Sequence, residues 1–295
     1  MMAEMIETEN PTVEEPNLPI LFHNWFLSKG WQIYEHQRTL ISHFNRGNSC
    51  LLIAPTGSGK TLCGFLPSLI ELSKKRLKTQ YKPRLHTLYI SPLKALSVDV
   101  QRNLQLPIEQ MGLSIKCETR TGDTNQSKRN RQKALPPDIL LTTPESVELM
   151  LAWPNASSYF SNLSAIIIDE IHTVIGNKRG DLLSLSITSL RKYAPNASFI
   201  GLSATVADSL QLARWLTPIP EDVTIVSPKI TKKIEIEIYH PKTNEIPYAG
   251  HSANYAVADI YKMIQAHKKS LIFVNTRAQA ELLFQSLWKK NSDNL

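Results

Sequence analysis

The sequence predicts an α/β fold built on a doubly wound parallel sheet. Between residues 49 and 226, short apolar runs alternate with segments long enough to be crossover helices. Several of these runs are continuously apolar, as expected of strands that are buried on both faces of a parallel sheet. The repeated order of strand then helix is the βαβ arrangement, which predicts parallel strands rather than hairpins.

The strands and helices of this region can be placed one by one. The predicted strands are, in chain order, SCLLIAP, HTLYISP, IKCETR, DILLTTP, AIIIDE and SFIGLSAT. The predicted crossover helices are 59–74, 94–110, 145–153, 180–193 and 208–216. Each helical stretch with its loops is long enough to join two parallel strands. We therefore expect one large α/β domain over residues 18–227.

Outside this domain the pattern changes at both ends of the chain. Residues 1–17 are acidic and show no periodicity, so we expect a mobile tail there. The stretch KKIEIEIYH alternates apolar and charged residues and predicts a half-exposed strand. A predicted helix at 254–267, a strand at SLIFVNT and an amphipathic helix at RAQAELLFQSLWKK follow. Residues 228–295 are thus expected to be a linker and the incomplete start of a second α/β domain.

Composition limits the class of protein and its partners. The net charge is +7, and removing the five glutamates of residues 1–16, which contain no lysine or arginine, leaves +12 on the rest. A basic folded region favours a polyanionic partner, although a solvated lysine-rich surface gives the same count. The three cysteines have no CxxC spacing, the N-terminus lacks a signal-peptide pattern, and no stretch is apolar enough to span a bilayer. We therefore expect a reduced, cytoplasmic protein with no membrane partner.

The stretch APTGSGKT, residues 54–61, follows the apolar run SCLLI and precedes a helical pattern. Gly57 and Gly59 allow successive backbone N–H groups to face phosphate oxygens at a helix N-terminus. Lys60 is expected to reach the β- and γ-phosphates of ATP, and the Thr61 hydroxyl to bind Mg²⁺. A glycine turn without a ligand is the alternative. The residues predicted to contact the nucleotide here are Thr56, Gly57, Ser58, Gly59, Lys60 and Thr61.

Two carboxylates, Asp169 and Glu170, end the apolar run AIII. Open α/β sheets bind ligands at the carboxyl ends of their strands, so this pair is expected beside the phosphate loop. Asp169 suits Mg²⁺, and Glu170 suits the orientation and deprotonation of a water molecule, which with Lys60 completes the predicted catalytic set. An ordinary solvated acidic pair is the alternative. His172, taken alone, is more typical of a packed or surface histidine.

Taken in order, APTGSGKT, DEIH and LSAT resemble the motifs of superfamily 2 helicases of the DExH class. RTGDT and the NKRG after DEIH are similar to the Lhr (large helicase-related) group, especially its ligase-associated DEXH-box DNA helicases, over about residues 20–290. The resemblance implies a RecA-like P-loop domain of an ATP- and Mg²⁺-dependent translocase, 3′ to 5′ on single-stranded DNA, in DNA repair. The partners it implies are single-stranded or partially duplex DNA, with RNA left open, and a DNA ligase or other repair protein.

The same resemblance implies roles for further residues. Gln37 in YEHQ takes the position that reads adenine. His172 takes the position that links the nucleotide site to LSAT, where Ser203 and Thr205 supply hydroxyls that equally suit bonds to nearby backbone. SPLKAL, RTGDT and TTPES are similar to loops that contact nucleic acid. The residues concerned are Pro92, Lys94, Thr121, Gly122, Asp123, Thr143, Pro144 and Glu145.

Elementary chemistry is compatible with nucleic acid at these loops. Thr143 as a cap and Pro144 at the first helical position mark a helix start whose free N–H groups suit a phosphate, but a plain capped helix has the same pattern. Lys94 adds a charge, and Gly122 permits close approach of the backbone. The basic stretch SKRNRQK fits either a phosphate track or a solvated helix face. None of these groups reads a base edge, so binding is expected to be sequence-independent and sensitive to salt.

Part of the expected motor is missing from the sequence. The family's second motor domain carries arginines, in a QxxGRxxR segment, that stabilise the transferring phosphoryl group. Residues 228–295 contain no such segment, and only SLIFVNTRAQAE is similar to that domain. We therefore expect an N-terminal piece of a longer helicase, or a truncated gene product, with little or no unwinding of its own. The alternatives are a catalytically silent ATP- and nucleic-acid-binding fragment and a DEAD-box-like RNA helicase, against which DEIH and NKRG argue.

Overall fold

The computed structural model describes residues 18–55, 57–76, 83–206, 208–219, 223–228, 235–240 and 253–291. The tail predicted at residues 1–17 lies outside this range. The chain divides into two compact units, residues 1–230 and residues 231–295, which we describe separately.

Strands and helices alternate through most of the first unit. Its strands are β1 (Ser49–Ile53), β2 (Thr87–Ile90), β3 (Cys117–Arg120), β4 (Ile139–Thr142), β5 (Ala165–Ile168), β6 (Ser198–Ser203) and β7 (Val223–Val226). Its helices are α1 (Ile20–Ser28), α2 (Glu35–Asn45), α3 (Lys60–Arg76), α4 (Lys94–Gln110), α5 (Gln126–Ala134), α6 (Pro144–Leu151), α7 (Ala156–Phe160), α8 (Lys178–Tyr193) and α9 (Ser209–Leu216). A 3₁₀ turn, Ile171–Thr173, follows β5.

The strands form one seven-stranded parallel sheet in the order β3-β4-β2-β5-β6-β1-β7. This confirms the predicted α/β class. The edge strand β7 was not among the predicted strands. It pairs with β1 from Ser49 opposite Val223 to Leu52 opposite Val226.

The continuous apolar runs are explained by burial on both faces of the sheet. Alternate residues of each strand enter different hydrophobic clusters, with Tyr89 and Ile167 on the face covered by α3 and Leu88 and Ile166 on the opposite face. Burying one such aliphatic side chain contributes about 1.5–3 kcal/mol, so a run of them fixes a strand in the centre of the sheet.

Residues 253–291 of the second unit contain a 3₁₀ turn, Ala253–Ala256, and two helices, α10 (Val257–Ala266) and α11 (Arg277–Lys290). Both helices were predicted, but the two strand predictions are wrong for the residues that the structure describes. Residues 235–240 and 270–276 form no strand. A strand needs a hydrogen-bonding neighbour, and the described part of this unit supplies none.

None of the helices in the described ranges has the length and hydrophobicity that crossing a bilayer requires.

Candidate nucleotide-binding site and the loops beside it

The carboxyl edge of the sheet carries two neighbouring groups of loops. The phosphate loop, DEIH and LSAT follow β1, β5 and β6, which are adjacent strands. SPLKAL, RTGDT and TTPES follow β2, β3 and β4, which are adjacent on the other side of β5. The last residues of β1, β5 and β6 lie close in register, as do those of β2, β3 and β4. Each group of loops therefore meets at its own part of one edge.

The phosphate loop turns through two glycines in the left-handed region, Gly57 at φ +79° and Gly59 at φ +76°. Residues with a side chain rarely adopt this conformation, so glycine is required at both positions. The Ser58 hydroxyl donates to the Pro55 carbonyl at 2.7 Å and closes the turn before α3 begins at Lys60. Thr56, also predicted to contact the nucleotide, lies outside the described residues.

Lys60 is the residue of this loop whose surroundings best suit a bound anion. Its side chain is buried, and among the described residues its Nζ has no hydrogen-bond partner. A buried ammonium without a partner is unfavourable, and a phosphate group would supply the missing acceptor. Thr61 follows in the first turn of α3 and is partly buried. The residues present therefore fit a nucleotide with its Mg²⁺.

Asp169 follows β5 directly and is buried. Its Oδ2 accepts a hydrogen bond from the Tyr89 hydroxyl at 2.5 Å, and its Oδ1 accepts one from the Glu170 N–H at 2.9 Å. Burial raises the pKa of Asp169, while the bond from Tyr89 and the charge of Lys60 oppose that rise. Burial and then the nearby Asp169 carboxylate raise the pKa of Tyr89, so the phenol stays protonated as a donor.

Glu170 has the left-handed backbone values φ 48° and ψ 41°, the one non-glycine residue of the described ranges with positive φ. Such a conformation costs about 1–3 kcal/mol and persists where the surrounding structure enforces it, commonly at functional sites. It turns the chain sharply after β5. The strand therefore ends at Ile168, and Asp169 and Glu170 lie in the turn that follows it.

His172 joins the DEIH segment to LSAT. The Ala204 N–H donates to His172 Nδ1 at 3.3 Å, which makes that nitrogen an acceptor, and Ser203 Oγ lies 3.2 Å from the same nitrogen. Glu170 Oε2 lies 3.5 Å from His172 Nδ1. Ser203 is buried, whereas Thr205 is exposed. The structure therefore brings His172 and Ser203 together but gives Thr205 no contact of this kind.

Gln37 is buried at the start of α2, where its Oε1 accepts from the Tyr34 N–H at 3.0 Å. A side chain on Gly59 would lie 3.4 Å from Gln37 Nε2, so the amide nitrogen faces the phosphate loop. Gln37 thus caps its own helix and borders the predicted site at the same time.

Two of the predicted nucleic-acid loops contact each other. Lys94 Nζ lies 3.1 Å from Asp123 Oδ1, which joins the start of α4 to RTGDT. The Arg129 guanidinium donates to the carbonyls of Thr121 at 3.0 Å and Gly122 at 2.6 Å. Arg129 therefore fixes the backbone of RTGDT from α5. Pro92, two residues before Lys94, is buried.

The third loop, TTPES, differs from the prediction in one detail. Thr143 and Pro144 occupy the cap and first positions of α6, but the Thr143 hydroxyl bonds no backbone N–H of the helix and instead lies 3.2 Å from Ser146 Oγ. Both hydroxyls are buried, and they satisfy one another. Glu145 is exposed, and its Oε1 lies 2.7 Å from Nε of Arg179 in NKRG.

A cleft of about 530 Å³ lies between SPLKAL, the DEIH segment and the start of α8. Pro92, Leu93, Glu170 and Arg179 are among the residues that border it. It separates the DEIH segment from the start of α4. The helix α8 begins at its rim, where the Asn177 side chain accepts from the N–H groups of Arg179 and Gly180.

The basic stretch SKRNRQK lies in α5, and three of its four charged side chains contact other parts of the protein. Arg131 pairs with Glu118 at 2.8 Å, and Arg129 holds RTGDT as described. Lys133 and Arg120 lie over the Trp153 ring, at 5.1 and 4.7 Å from its centre. These contacts favour the interpretation as a helix face over a phosphate track.

Tyr89 was not singled out from the sequence. Arg129 and Arg179 lie in the quoted stretches SKRNRQK and NKRG, but their contacts with RTGDT and with Glu145 were not predicted. Tyr89 and Asp169, for example, are 80 residues apart. No motif in one sequence reports such a contact.

The fold and these motifs define a P-loop nucleotide-binding domain of the helicase kind. The family described as DEAD/DEAH box helicase matches residues 34–213, which is more than half of the chain. The chain therefore belongs to the DEAD/DEAH box helicase family, and its first unit has the RecA-like fold of that family.

Within that family the chain is most clearly similar to proteins named Lhr. It is 37% identical over 268 residues to the ATP-dependent helicase Lhr-Core of Methanocaldococcus jannaschii, covering 87% of this chain and 32% of that protein. It is 36% identical to the Lhr helicase/uracil glycosylase of Escherichia coli, covering 81% of this chain and 17% of that protein. The solved structure of Mycobacterium smegmatis helicase Lhr bound to ssDNA and AMP-PNP matches with a TM-score of 0.75 and 35% identity, over 95% of this chain and 36% of that one. The chain thus spans about a third or less of the length of these relatives.

Proposed function

We propose that this chain is the ATP- and nucleic-acid-binding motor part of an ATP-dependent DNA helicase or translocase. The observation that carries the proposal is the pair of loop groups at one edge of the sheet, one suited to a nucleotide and the other to a phosphate backbone. The M. smegmatis Lhr helicase is described as bound to ssDNA and AMP-PNP. Those two kinds of ligand match the two groups of loops here.

In this proposal the nucleotide is held by side chains around the phosphate loop. The Lys60 ammonium contacts the phosphates, and the Gln37 amide faces the base. Asp169 and Thr61 would hold Mg²⁺, which when bound neutralises phosphate charge. Glu170 orients the attacking water and accepts its proton. His172 and Ser203 connect this site to LSAT through the contacts described above.

The nucleic acid would lie along SPLKAL, RTGDT and TTPES, with Lys94 and the N-termini of α4 and α6 contacting phosphates. Single-stranded DNA, movement 3′ to 5′, DNA repair and a ligase or other repair partner are inferences from the motif resemblance. RNA is the competing polymer, and matched DNA and RNA strands of one sequence distinguish the two.

A catalytically silent binding module is the second candidate. A domain without a transition-state arginine transfers the phosphoryl group about 10³- to 10⁵-fold more slowly. Such a module would still bind ATP and DNA through the same two groups of loops.

Steady-state ATP hydrolysis with and without single-stranded DNA tests the proposal, beside Lys60→Ala and Glu170→Gln. DNA-stimulated hydrolysis that both substitutions abolish is the result expected of a motor. Nucleotide binding without hydrolysis would support the silent module, and absence of nucleotide binding would contradict both.

A further inference from the structure

Tyr89 is a fully buried residue to which the motifs assign no role. It lies in β2, two residues before SPLKAL, on the face of the sheet that α3 covers. Its ring centre lies 5.2 Å from that of Phe65 in α3. Because the ring is enclosed by the sheet and by the helix that begins at Lys60, the position of the hydroxyl is fixed by packing.

The hydroxyl of Tyr89 reaches the edge of the sheet and ends on Asp169. β2 and β5 are adjacent, with Tyr89 opposite Ile167, so Asp169 lies two residues further along the neighbouring strand and on the same side. Tyr89 donates to Oδ2, and the Glu170 N–H donates to Oδ1. Each carboxylate oxygen therefore has its own donor from the protein, and rotation of the carboxylate breaks at least one of these bonds.

We propose that Tyr89 is a positioning residue that holds the Asp169 carboxylate in the orientation in which it binds Mg²⁺ together with the nucleotide. This inference rests on the proposed function of the site. Hydrogen-bond partners behind a metal ligand orient it, and their removal typically reduces metal affinity about 10- to 100-fold. If the hydroxyl served the core alone, its removal would change stability but not the affinity for Mg²⁺.

The test uses the full chain and a fluorescent N-methylanthraniloyl ATP analogue. Its affinity is measured in EDTA and then as a function of MgCl₂ concentration, for the wild type and Tyr89→Phe. Tyr159→Phe is the matched control, because Tyr159 is also buried and its hydroxyl donates to a backbone carbonyl, that of Gln132, at 3.2 Å.

For Tyr89→Phe we expect the Mg²⁺ concentration at half-maximal binding to rise about tenfold or more, with the affinity in EDTA unchanged. For Tyr159→Phe we expect the wild-type value. A Mg²⁺ midpoint in Tyr89→Phe that equals the wild type, or lies below it, overturns the role of Tyr89 while leaving the proposed function intact. A wild-type chain that binds no nucleotide overturns the proposed function and this inference with it.

The Asp169→Asn background shows whether Tyr89 acts through the carboxylate. There we expect Tyr89→Phe to add no further change in Mg²⁺ dependence, because contacting residues of one network are not additive. If Tyr89→Phe does not fold, Phe65→Leu replaces it, since this change loosens the ring contact and keeps the hydroxyl. A raised Mg²⁺ midpoint in Phe65→Leu then supports the proposal, and an unchanged one overturns it.

Discussion

The buried ammonium of Lys60 is expected to make the stability of the protein depend on nucleotide. In the described structure its Nζ is without a hydrogen-bond partner. Lys60→Ala removes a buried ammonium that has the charge of Asp169 nearby but no hydrogen-bond partner, so the free protein is expected to keep its thermal stability. Nucleotide at 100 times its Kd stabilises the wild type by about 2.7 kcal/mol, and we expect this gain to vanish in the variant. Thermal unfolding with and without ATP measures both.

Lys94→Ala is the control for that prediction, because Lys94 is exposed and lies in the other group of loops. It is expected to leave the nucleotide-dependent stabilisation unchanged. A marked fall in the stability of free Lys60→Ala would contradict the account of Lys60, since it would mean that the ammonium has a partner in the free protein.

Glu71 in α3 is expected to stabilise the fold at neutral pH and to lose this effect in acid. Burial alone would raise its pKa, but the contacts with His86 and Lys75 overcome this and lower the pKa from its ordinary value of 4.5 to about 2. Lys75 Nζ lies 2.5 Å away, and His86 Nε2 lies 3.1 Å away without the alignment of a full hydrogen bond. Because the folded pKa is depressed, the stabilisation is present above pH 4.5 and is lost as the pH falls from there towards 2.

Glu71→Gln is expected to lower the free energy of unfolding by about 1 kcal/mol at neutral pH, since Glu71 is partly exposed and solvent screens part of the effect. The difference from wild type should shrink through the same acidic window. Urea unfolding at a series of pH values measures it, with the exposed Glu109→Gln as control. A difference that is constant with pH would rule out the ionic origin.

At the scale of elements, the first turn of α8 packs so closely on the preceding segment that position 180 has no room for a side chain. A Cβ at this position would lie 1.9 Å from the Val174 carbonyl oxygen, a backbone atom that cannot move without shifting the segment after DEIH. Gly180→Ala is therefore expected to destabilise the protein by about 1–3 kcal/mol or more. Gly122→Ala is the matched comparison, because its Cβ would meet only the flexible end of Lys94, at 3.1 Å. Equal losses in the two variants, measured by urea unfolding, would refute this explanation.

Two cations beside the loop RTGDT are expected to act differently. Lys94 would contact the DNA directly, whereas Arg129 supports the backbone of the loop. Lys94→Ala is expected to remove one phosphate contact, and the slope of log affinity against log salt should fall by about 0.7 for single-stranded DNA. Arg129→Ala should weaken binding with the slope unchanged, because Arg129 donates to backbone carbonyls of the loop. Fluorescence anisotropy of a labelled oligonucleotide at several salt concentrations measures both quantities. A slope that changes equally in the two variants would place Arg129 on the DNA.

At the scale of the whole molecule, the two units differ in how well they cover apolar side chains. The first unit encloses two large hydrophobic clusters, one on each face of its sheet. The second exposes many large apolar side chains, among them Ile236, Ile238, Leu271, Phe273, Phe284 and Trp288. Such exposure favours association.

A chain ending at residue 230 is therefore expected to unfold cooperatively and to stay monomeric at higher concentration than the full chain. All the residues proposed to bind nucleotide lie within 37–205. The nucleotide Kd of the shortened chain should therefore agree with that of the full chain within about twofold, because changes at independent sites do not affect one another. Light scattering tests whether the shortened chain stays monomeric, and nucleotide titration measures its Kd. A large loss of nucleotide affinity would show that residues 231–295 contribute to the site.

Local pattern predicted much of the fold and the position of the candidate site. The central strands were found because burial on both faces makes them continuously apolar, and the phosphate loop was found because only glycine adopts its turns. The strand predicted at KKIEIEIYH shows the limit of this reasoning. Alternation indicates which side chains share a face, but a strand also needs a neighbour, and none pairs with residues 235–240 in the described structure. The edge strand β7 was missed because its place beside β1, far earlier in the chain, is a tertiary contact that its own four residues do not report.

The sequence by itself determined the order of strands and helices and the chemical groups that end each strand, because these depend on periodicity and turn residues within a short window. Only the tertiary structure decided which of those ends are neighbours. The sheet order β3-β4-β2-β5-β6-β1-β7 departs from chain order. It separates SPLKAL, RTGDT and TTPES from the phosphate loop, DEIH and LSAT, and it brings Tyr89 to Asp169. Strand order is set by the packing of residues far apart in the chain, which no local pattern specifies.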